Sequence, residues 1–488
     1  MALRIITLLL FSANVVEGII GLNWGRMTSQ RLIPSTVVDL FLQNGIPEVK
    51  VFSFSENVMK AFSGSGIGLT ISIPNEVIHD INSTNGAREW VRKTITRFVL
   101  KNINIKYVNI GAEPFSPSFW SKTYLGAVDV LKMIQDALNE AGHGDKTKAT
   151  IPHLTDILKP NNTKPSEAEF RDDIKDLMIQ SLQILKENNS PVMIDMFPIL
   201  FVNENNLDIE FAFTDGKSTY FVVDDNGLNY TNAFDFMYDS ILWAMKKSGA
   251  PDLKLVVGQI GWPTDGYPDA NIANAERFYK SLLPRVESNR GTPLRPGVPI
   301  DLYIHSLCDE NKMKTKFGAF QRHWGIYRND GEPKFLIDLS GQGRDVYPTT
   351  AKGVTYMPKR WCIFNEDTSN LTKVKYEFEA ACQEADCTSL APGGSCSHLT
   401  YNQNVSYAFN RYFQVKSQKE DNKACQFDGL AKVVPDNPST GTCIFPVEIL
   451  EAEVADRGAS IGGQGERVYM VFKLTTLLPL LLIILSFI

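Results

Sequence analysis

Eight short apolar runs between residues 19 and 340 constrain this chain most. They are IIGLNWG (19–25), EVKVFSF (48–54), GLTISI (68–73), IKYVNIGAE (105–113), KATIPH (148–153), PVMIDMF (191–197), LKLVVGQIG (253–261) and IDLYIHSL (300–307). Runs that stay apolar on both faces predict parallel strands covered by helices. Helical patterns lie between several of them. AREWVRKTITRFVLKN puts Trp90, Ile95 and Phe98 on one face, and FRDDIKDLMIQSLQILKEN does the same with Ile174, Leu177, Met178 and Leu182. Eight such units predict an α/β chain folded as a closed (β/α)8 TIM barrel over residues 19–341. The competing architecture is an open doubly wound sheet. No G-x-G-x-x-G follows the first strand, which argues against its dinucleotide-binding version.

The texture changes after Gly341. Residues 342–358 are rich in Gly and Pro and form a linker. Residues 359–446 form a small cysteine-rich module, because six of the seven cysteines lie between Cys362 and Cys443. A clustered, even set of cysteines predicts a disulfide framework in an oxidising compartment, and six cysteines allow 15 pairings. Cys308 stands outside the set and is expected to be a buried free thiol. A stalk follows over residues 447–457.

Both ends carry processing patterns. Residues 1–18 have Arg4, an apolar run through Phe11, then Val16 and Gly18, as in a secretory signal peptide; the alternative is a buried N-terminal helix. In residues 458–488, small residues from Gly458 to Ser460 precede a polar spacer and an apolar tail. That order predicts a removed GPI-attachment signal, with Gly458 or Ser460 as the site, rather than a single membrane span. The expected location is the extracellular face of the plasma membrane and the cell wall. Six N-glycosylation sequons fit that route: Asn82, Asn161, Asn188, Asn229, Asn370 and Asn404. A net charge of -6 with no long basic run argues against nucleic acid as a partner. The six histidines show no metal-ligand spacing, so neither a metal nor a cofactor is expected.

In a barrel of this kind the chemistry sits at the C-terminal strand ends. The polar and aromatic residues there are Asn23 and Trp24, Ser53 and Ser55, Asn75 and Glu76, Glu113, Asp195 and Phe197, Gln259 and Trp262, and Asp309 and Glu310. Glu113 and Gln259 face one another from the fourth and seventh strand ends. Aromatic residues near them can stack on sugar rings or simply fill the core.

IGLNWGR, GIPEVKVFSF, TISIPNEVI, GWPTDG and RHWGIY, in that order, resemble the plant endo-1,3-β-glucosidases of glycoside hydrolase family 17. The resemblance implies a cleft for β-1,3-glucan, such as callose, and a retaining mechanism. An acid on the fourth strand and a carboxylate nucleophile on the seventh would lie about 5 Å apart. Glu113 matches the acid/base, but Gln259 stands at the nucleophile position. Ala112 replaces an Asn before the acid. Glu310 matches a cleft glutamate, Met313 falls at a cleft lysine and Gln321 at a further glutamate. An amide cannot form the glycosyl ester and stabilises an oxocarbenium-like centre poorly, yet it still hydrogen-bonds sugar hydroxyls. A neutral Gln259 should also deprive Glu113 of a negative neighbour that would raise its pKa.

The module, with WCIFNEDTSN, NQNVSYAFNRYFQ and KACQFDG, resembles the X8-type module, carbohydrate-binding module family 43. That resemblance implies β-1,3-glucan binding and the pairs Cys362–Cys425, Cys382–Cys387 and Cys396–Cys443. Tyr407, Phe409, Tyr412 and Phe413 are its candidate stacking residues. The expectation is a glucan-binding cell-surface protein with weak or no hydrolysis. One alternative is an active hydrolase in which Asp265, Glu310 or Asp195 attacks. The other is a receptor-like scaffold whose barrel binds protein.

Overall fold

The computed structural model describes residues 18–450 except Ser53, residues 118–125, Asn161 and residues 417–422. The expected signal peptide up to residue 17, Asn161, most of the stalk and the anchor signal with Gly458 and Ser460 lie outside the described residues. Among the described residues, no helix is long and apolar enough to cross a membrane.

The strands are β1 (Ile20–Trp24), β2 (Glu48–Val51), β3 (Gly68–Ile73), β4 (Asn104–Ile110), β5 (Lys148–Thr150), β6 (Pro152–Leu154), β7 (Val192–Asp195), β8 (Val222–Val223), β9 (Asn229–Tyr230), β10 (Leu255–Ile260), β11 (Asp301–Ile304), β12 (Trp361–Phe364) and β13 (Ala431–Val434). Nine of them form one sheet in the order β5-β4-β3-β2-β1-β11-β10-β7-β6. All its pairings are parallel. β5 and β6 are two halves of one run, interrupted at Ile151. The first half pairs with β4 and the second with β7, which closes the sheet into an eight-stave barrel.

Alternation assigns each side chain a face. On β1, Leu22 and Trp24 join the core under the helices, while the Asn23 amide crosses the axis to the carbonyl of Gly258 at 3.1 Å. The helix-facing residues of β2 and β3 (Val49, Val51, Leu69, Ile71, Ile73) are likewise buried. On the helix side, Thr84–Val91 passes through a π turn at Arg92–Thr96, burying Ile95 and Phe98, whereas Trp90 is half-buried. The helix Lys175–Glu187 buries Met178, Ser181, Leu182 and Leu185.

In the module, β12 and β13 pair antiparallel against the helices Leu371–Glu384 and Tyr401–Lys416. Its disulfides are Cys362–Cys425, Cys382–Cys387 and Cys396–Cys443. Cys308 is free and buried, and burial pushes its thiol well above the ordinary range, so it stays an unreactive SH group.

The module docks on the loops that follow barrel strands. Asp265, after β10, accepts from Ser395 N at 2.8 Å and Ser395 Oγ at 2.6 Å. Arg322, after β11, pairs with Asp386 at 2.9 Å, and His323 Nε2 meets Thr388 Oγ1 at 2.8 Å. Gln30, after β1, donates to the Val415 carbonyl at 3.4 Å. Glu448 joins the two bodies, accepting from Arg411 at 3.0 Å and Asn329 at 2.5 Å. A polar cavity of about 180 Å³ remains in the seam.

Disulfide loop length sets an order of importance. Cys362–Cys425 spans 63 residues and Cys382–Cys387 spans 5. Removing the first bond should cost about 4 kcal/mol and removing the second about 2 kcal/mol. Urea unfolding of Cys362→Ala/Cys425→Ala and Cys382→Ala/Cys387→Ala variants, followed by module near-UV signals, checks the order.

Candidate active site

The polypeptide after β4 is built to present one carboxylate. Gly111 adopts φ 81°, and a Cβ there would sit 2.3 Å from Asn75 Oδ1. Asn75 clamps the next residue, receiving Ala112 N and donating to Ala112 O, both at 3.0 Å. Glu113 then takes φ 50°, a left-handed conformation that costs a non-glycine residue about 1–2 kcal/mol. Strain held by neighbouring hydrogen bonds is a mark of a functional position.

Across the barrel mouth, β10 changes register against β7 between Val257 and Gln259. The irregularity lets both Gly258 and Gln259 face the interior. Gln259 Nε2 donates to Asp195 Oδ2 at 2.8 Å and to Glu113 Oε1 at 3.3 Å. Asp195 Oδ1 in turn pairs with Lys50 Nζ at 3.4 Å, and Lys50 also donates to the Gly258 carbonyl at 3.2 Å. Lys50 and Asp195 are buried inside the barrel. Two carboxyl groups thus share one amide nitrogen, with contacts of 2.8 Å to Asp195 and 3.3 Å to Glu113.

The electrostatics differ from the expectation for Glu113. Burial, then the charge of Asp195 and the hydrogen bond to it, hold its carboxyl well above the ordinary carboxylate range. Lys50 pulls the other way and Asp156 adds a smaller push. The negative neighbour that Gln259 does not provide comes from Asp195, one strand away. Glu113 therefore keeps its proton and stays a hydrogen-bond donor, as a general acid must.

Phe197 is placed at this mouth, 4.9 Å from Trp324 and 5.9 Å from His305, with Phe52 6.2 Å from His305 and 5.5 Å from Lys50 Nζ. Burial, then Lys50, lowers His305 to about 3, so the imidazole is neutral. Asn23 lies in the same interior layer as Lys50, and Asn75 acts through the backbone of Ala112.

Other expectations are corrected. Trp24 points to the helices, 6.4 Å from Phe62, because alternation turns Asn23 inward. Trp262 is fully buried, stacked on Phe213 at 4.8 Å and packed against Phe278 at 5.3 Å. Its indole N–H goes to the Asp269 carbonyl, so neither face meets a sugar. Glu76 is exposed on the short helix Asn75–Ile78. Glu310 holds the loop after β1, accepting from Met27 N at 2.7 Å, and its carboxyl fills the space a Gly25 Cβ would need. In the module, Tyr407, Phe409 and Phe413 are buried. Tyr407 packs on Phe445 at 5.2 Å, and half-buried Tyr412 lies 5.4 Å from Phe427. Its exposed rings are Tyr376 and Tyr401 instead.

The sequons also differ in setting. Asn82, Asn229 and Asn370 are exposed. The Asn188 side chain is already bonded to the Ile184 carbonyl and to Asn139, and Asn404 is half-buried within a helix.

The model for glycosyl hydrolases family 17 matches residues 20–339, and that for the X8 domain matches residues 360–432. The chain belongs to glycosyl hydrolases family 17. It is 41% identical over 450 residues to glucan endo-1,3-beta-glucosidase 8 of Arabidopsis thaliana, covering 91% of this chain and 92% of the relative. It is 30% identical to glucan endo-1,3-beta-D-glucosidase of Olea europaea, covering 89% and 95%. Among solved structures, CJP38, a beta-1,3-glucanase and allergen of Cryptomeria japonica pollen, superposes with a TM-score of 0.62 at 31% identity. That match covers 66% of this chain and 99% of the pollen protein.

Glu310 yields a pH prediction. Burial raises its carboxyl to about 7, against which the Met27 N–H acts. The folded state therefore holds this proton where the unfolded chain has lost it, and stability falls as pH rises from about 4.5 through 7. Glu310→Gln keeps the shape and removes the titration. Its chemical-denaturation stability should decline less over that window than the native protein's.

Proposed function

We propose that this family 17 protein binds β-1,3-glucan, such as callose, at the cell surface, with little or no retaining hydrolysis. The observation that carries this reading is the Gln259 amide, hydrogen-bonded to Glu113 and Asp195 where a nucleophile would stand. An amide cannot form the glycosyl ester that a retaining route passes through. The names of the relatives, all glucan endo-1,3-beta-glucosidases, support the choice of polysaccharide.

In this reading Asp265, Glu310 and Asp195 do not take the nucleophile's place. Asp265 is held by Ser395 of the module. Glu310 is held by Met27. Asp195 is fully buried, with one oxygen on Lys50 and the other on Gln259. A nucleophile needs an open approach to the anomeric carbon at about 3–3.5 Å. The X8 domain adds a second glucan surface in this reading. Secretion, glycosylation at the exposed sequons and a GPI anchor complete the proposal and place both domains outside the plasma membrane.

Reducing-sugar release and affinity with laminarin test it. The native protein and Glu113→Gln should both release nothing above the blank and bind with affinities within a few-fold of each other. Native turnover that Glu113→Gln abolishes would instead mean a live site with an unrecognised nucleophile.

A further inference from the structure

A second strand-end carboxylate, that of Asp195, stands against the Gln259 amide. Asp195 Oδ2 lies 2.8 Å from Gln259 Nε2, the shorter of the two bonds that the amide makes to carboxylates. β7 and β10 place these residues side by side in register. Gly258 leaves room for the Asp195 carboxylate, since a Cβ there would sit 2.5 Å from Oδ1. Lys50 Nζ pairs with the same Oδ1 at 3.4 Å. An amide nitrogen has two hydrogens, and here each meets a carboxylate.

We propose that Asp195 is a positioning residue that fits the site to an amide at 259, so that Gln259→Glu alone does not open the hydrolytic route, whereas Gln259→Glu combined with Asp195→Asn does. The proposal rests on the reading of the cleft as a binding site without a working nucleophile.

The chemistry follows from donor and acceptor counts. In Gln259→Glu, the bond donated to Asp195 becomes a contact between acceptors at a position 2.8 Å apart in the native protein, and the 3.3 Å bond to Glu113 becomes a second contact between carboxyl groups. Three carboxyl groups then share one ammonium, that of Lys50. Asp156 lies on the acidic side as well, and His305 is neutral and adds no charge. Such a cluster takes up protons, and a protonated carboxyl at 259 is a poor nucleophile.

The added Asp195→Asn change restores a donor facing an acceptor, with the roles of the two positions exchanged and the number of carboxylates unchanged. The introduced carboxylate can then bond to the anomeric carbon as the glycosidic C–O bond breaks. The departing oxygen takes the Glu113 proton. Water next attacks the same carbon, gives a proton back to Glu113 and releases the carboxylate. No oxidant, metal or further reactant is needed.

The test is a four-protein cycle on the full chain: native, Gln259→Glu, Asp195→Asn and the exchange variant. Melting temperature at pH 7 and pH 4.5 needs no glucan. Gln259→Glu should melt lower than native at pH 7, with the deficit shrinking at pH 4.5 as the buried cluster protonates, and Asp195→Asn should remove most of it. On laminarin, the exchange variant should exceed Gln259→Glu by about ten-fold or more in kcat, with KM little changed. Should Asp195→Asn alone fail to fold, leaving Lys50 unpaired, the laminarin comparison of the exchange variant with Gln259→Glu still decides.

Melting shifts that simply add, or an exchange variant no faster than Gln259→Glu, overturn the proposal. A native protein that hydrolyses laminarin, or fails to bind it, overturns the glucan-binding reading instead. The melting cycle still reports on Asp195 in that case.

Discussion

Closure of the parallel barrel fixes everything at its mouth. Once eight staves close, each strand keeps one face for the helices and one for the axis. The helix faces take the apolar residues, and the axis is left with a polar layer that includes Asn23, Lys50 and Asp195. A lysine inside a barrel survives only if its charge is met, and Lys50 is met by Asp195 and the Gly258 carbonyl. That pair decides what can stand beside it at position 259.

Glu113 and the amide at 259 are therefore linked through Asp195. Glu113 is primed as a proton donor by burial and by Asp195. The amide joins the two carboxylates without adding a third charge. An acid kept protonated beside a hydrogen-bonding amide suits the binding of sugar hydroxyls, and it lacks the group that would trap a glycosyl cation. An uncharged amide at one strand end does not make the site electrically neutral, because the neighbouring strand carries Asp195.

The barrel was legible in the sequence because fully buried strands leave continuous apolar runs, and all eight runs lie on staves of the sheet. The candidate acid and the amide facing it were legible from their places at strand ends. Side-chain direction was less so. Trp24 and Trp262 sit beside polar strand-end residues, but alternation and the register change in β10 send both rings away from the axis. Lys50 carries a sequence signal of its own: a charged residue in the middle of EVKVFSF must find a buried partner. Asp195 is legible as a strand-end carboxylate, yet its contact with Gln259 depends on the register between β7 and β10, which no local pattern encodes. The surroundings of Tyr407 and Asp265 are less legible for a different reason: both are held by packing within or between domains, which a linear reading treats separately.

That last point bears on how two glucan surfaces would work together. Modules joined by a flexible linker gain from each other only through an effective concentration set by linker length. Here the docking contacts come from loops after β1, β10 and β11, and the segment after the module returns Glu448 to the seam. The charges at the seam, Arg322 with Asp386 and Arg411 with Glu448, are largely removed from water, where breaking one partner leaves the other costly. The module is thereby held at the same end of the barrel as Glu113 and Gln259. A chain bound at the mouth and reaching the module would meet a surface already oriented, so the ordering cost has been met in folding rather than in binding.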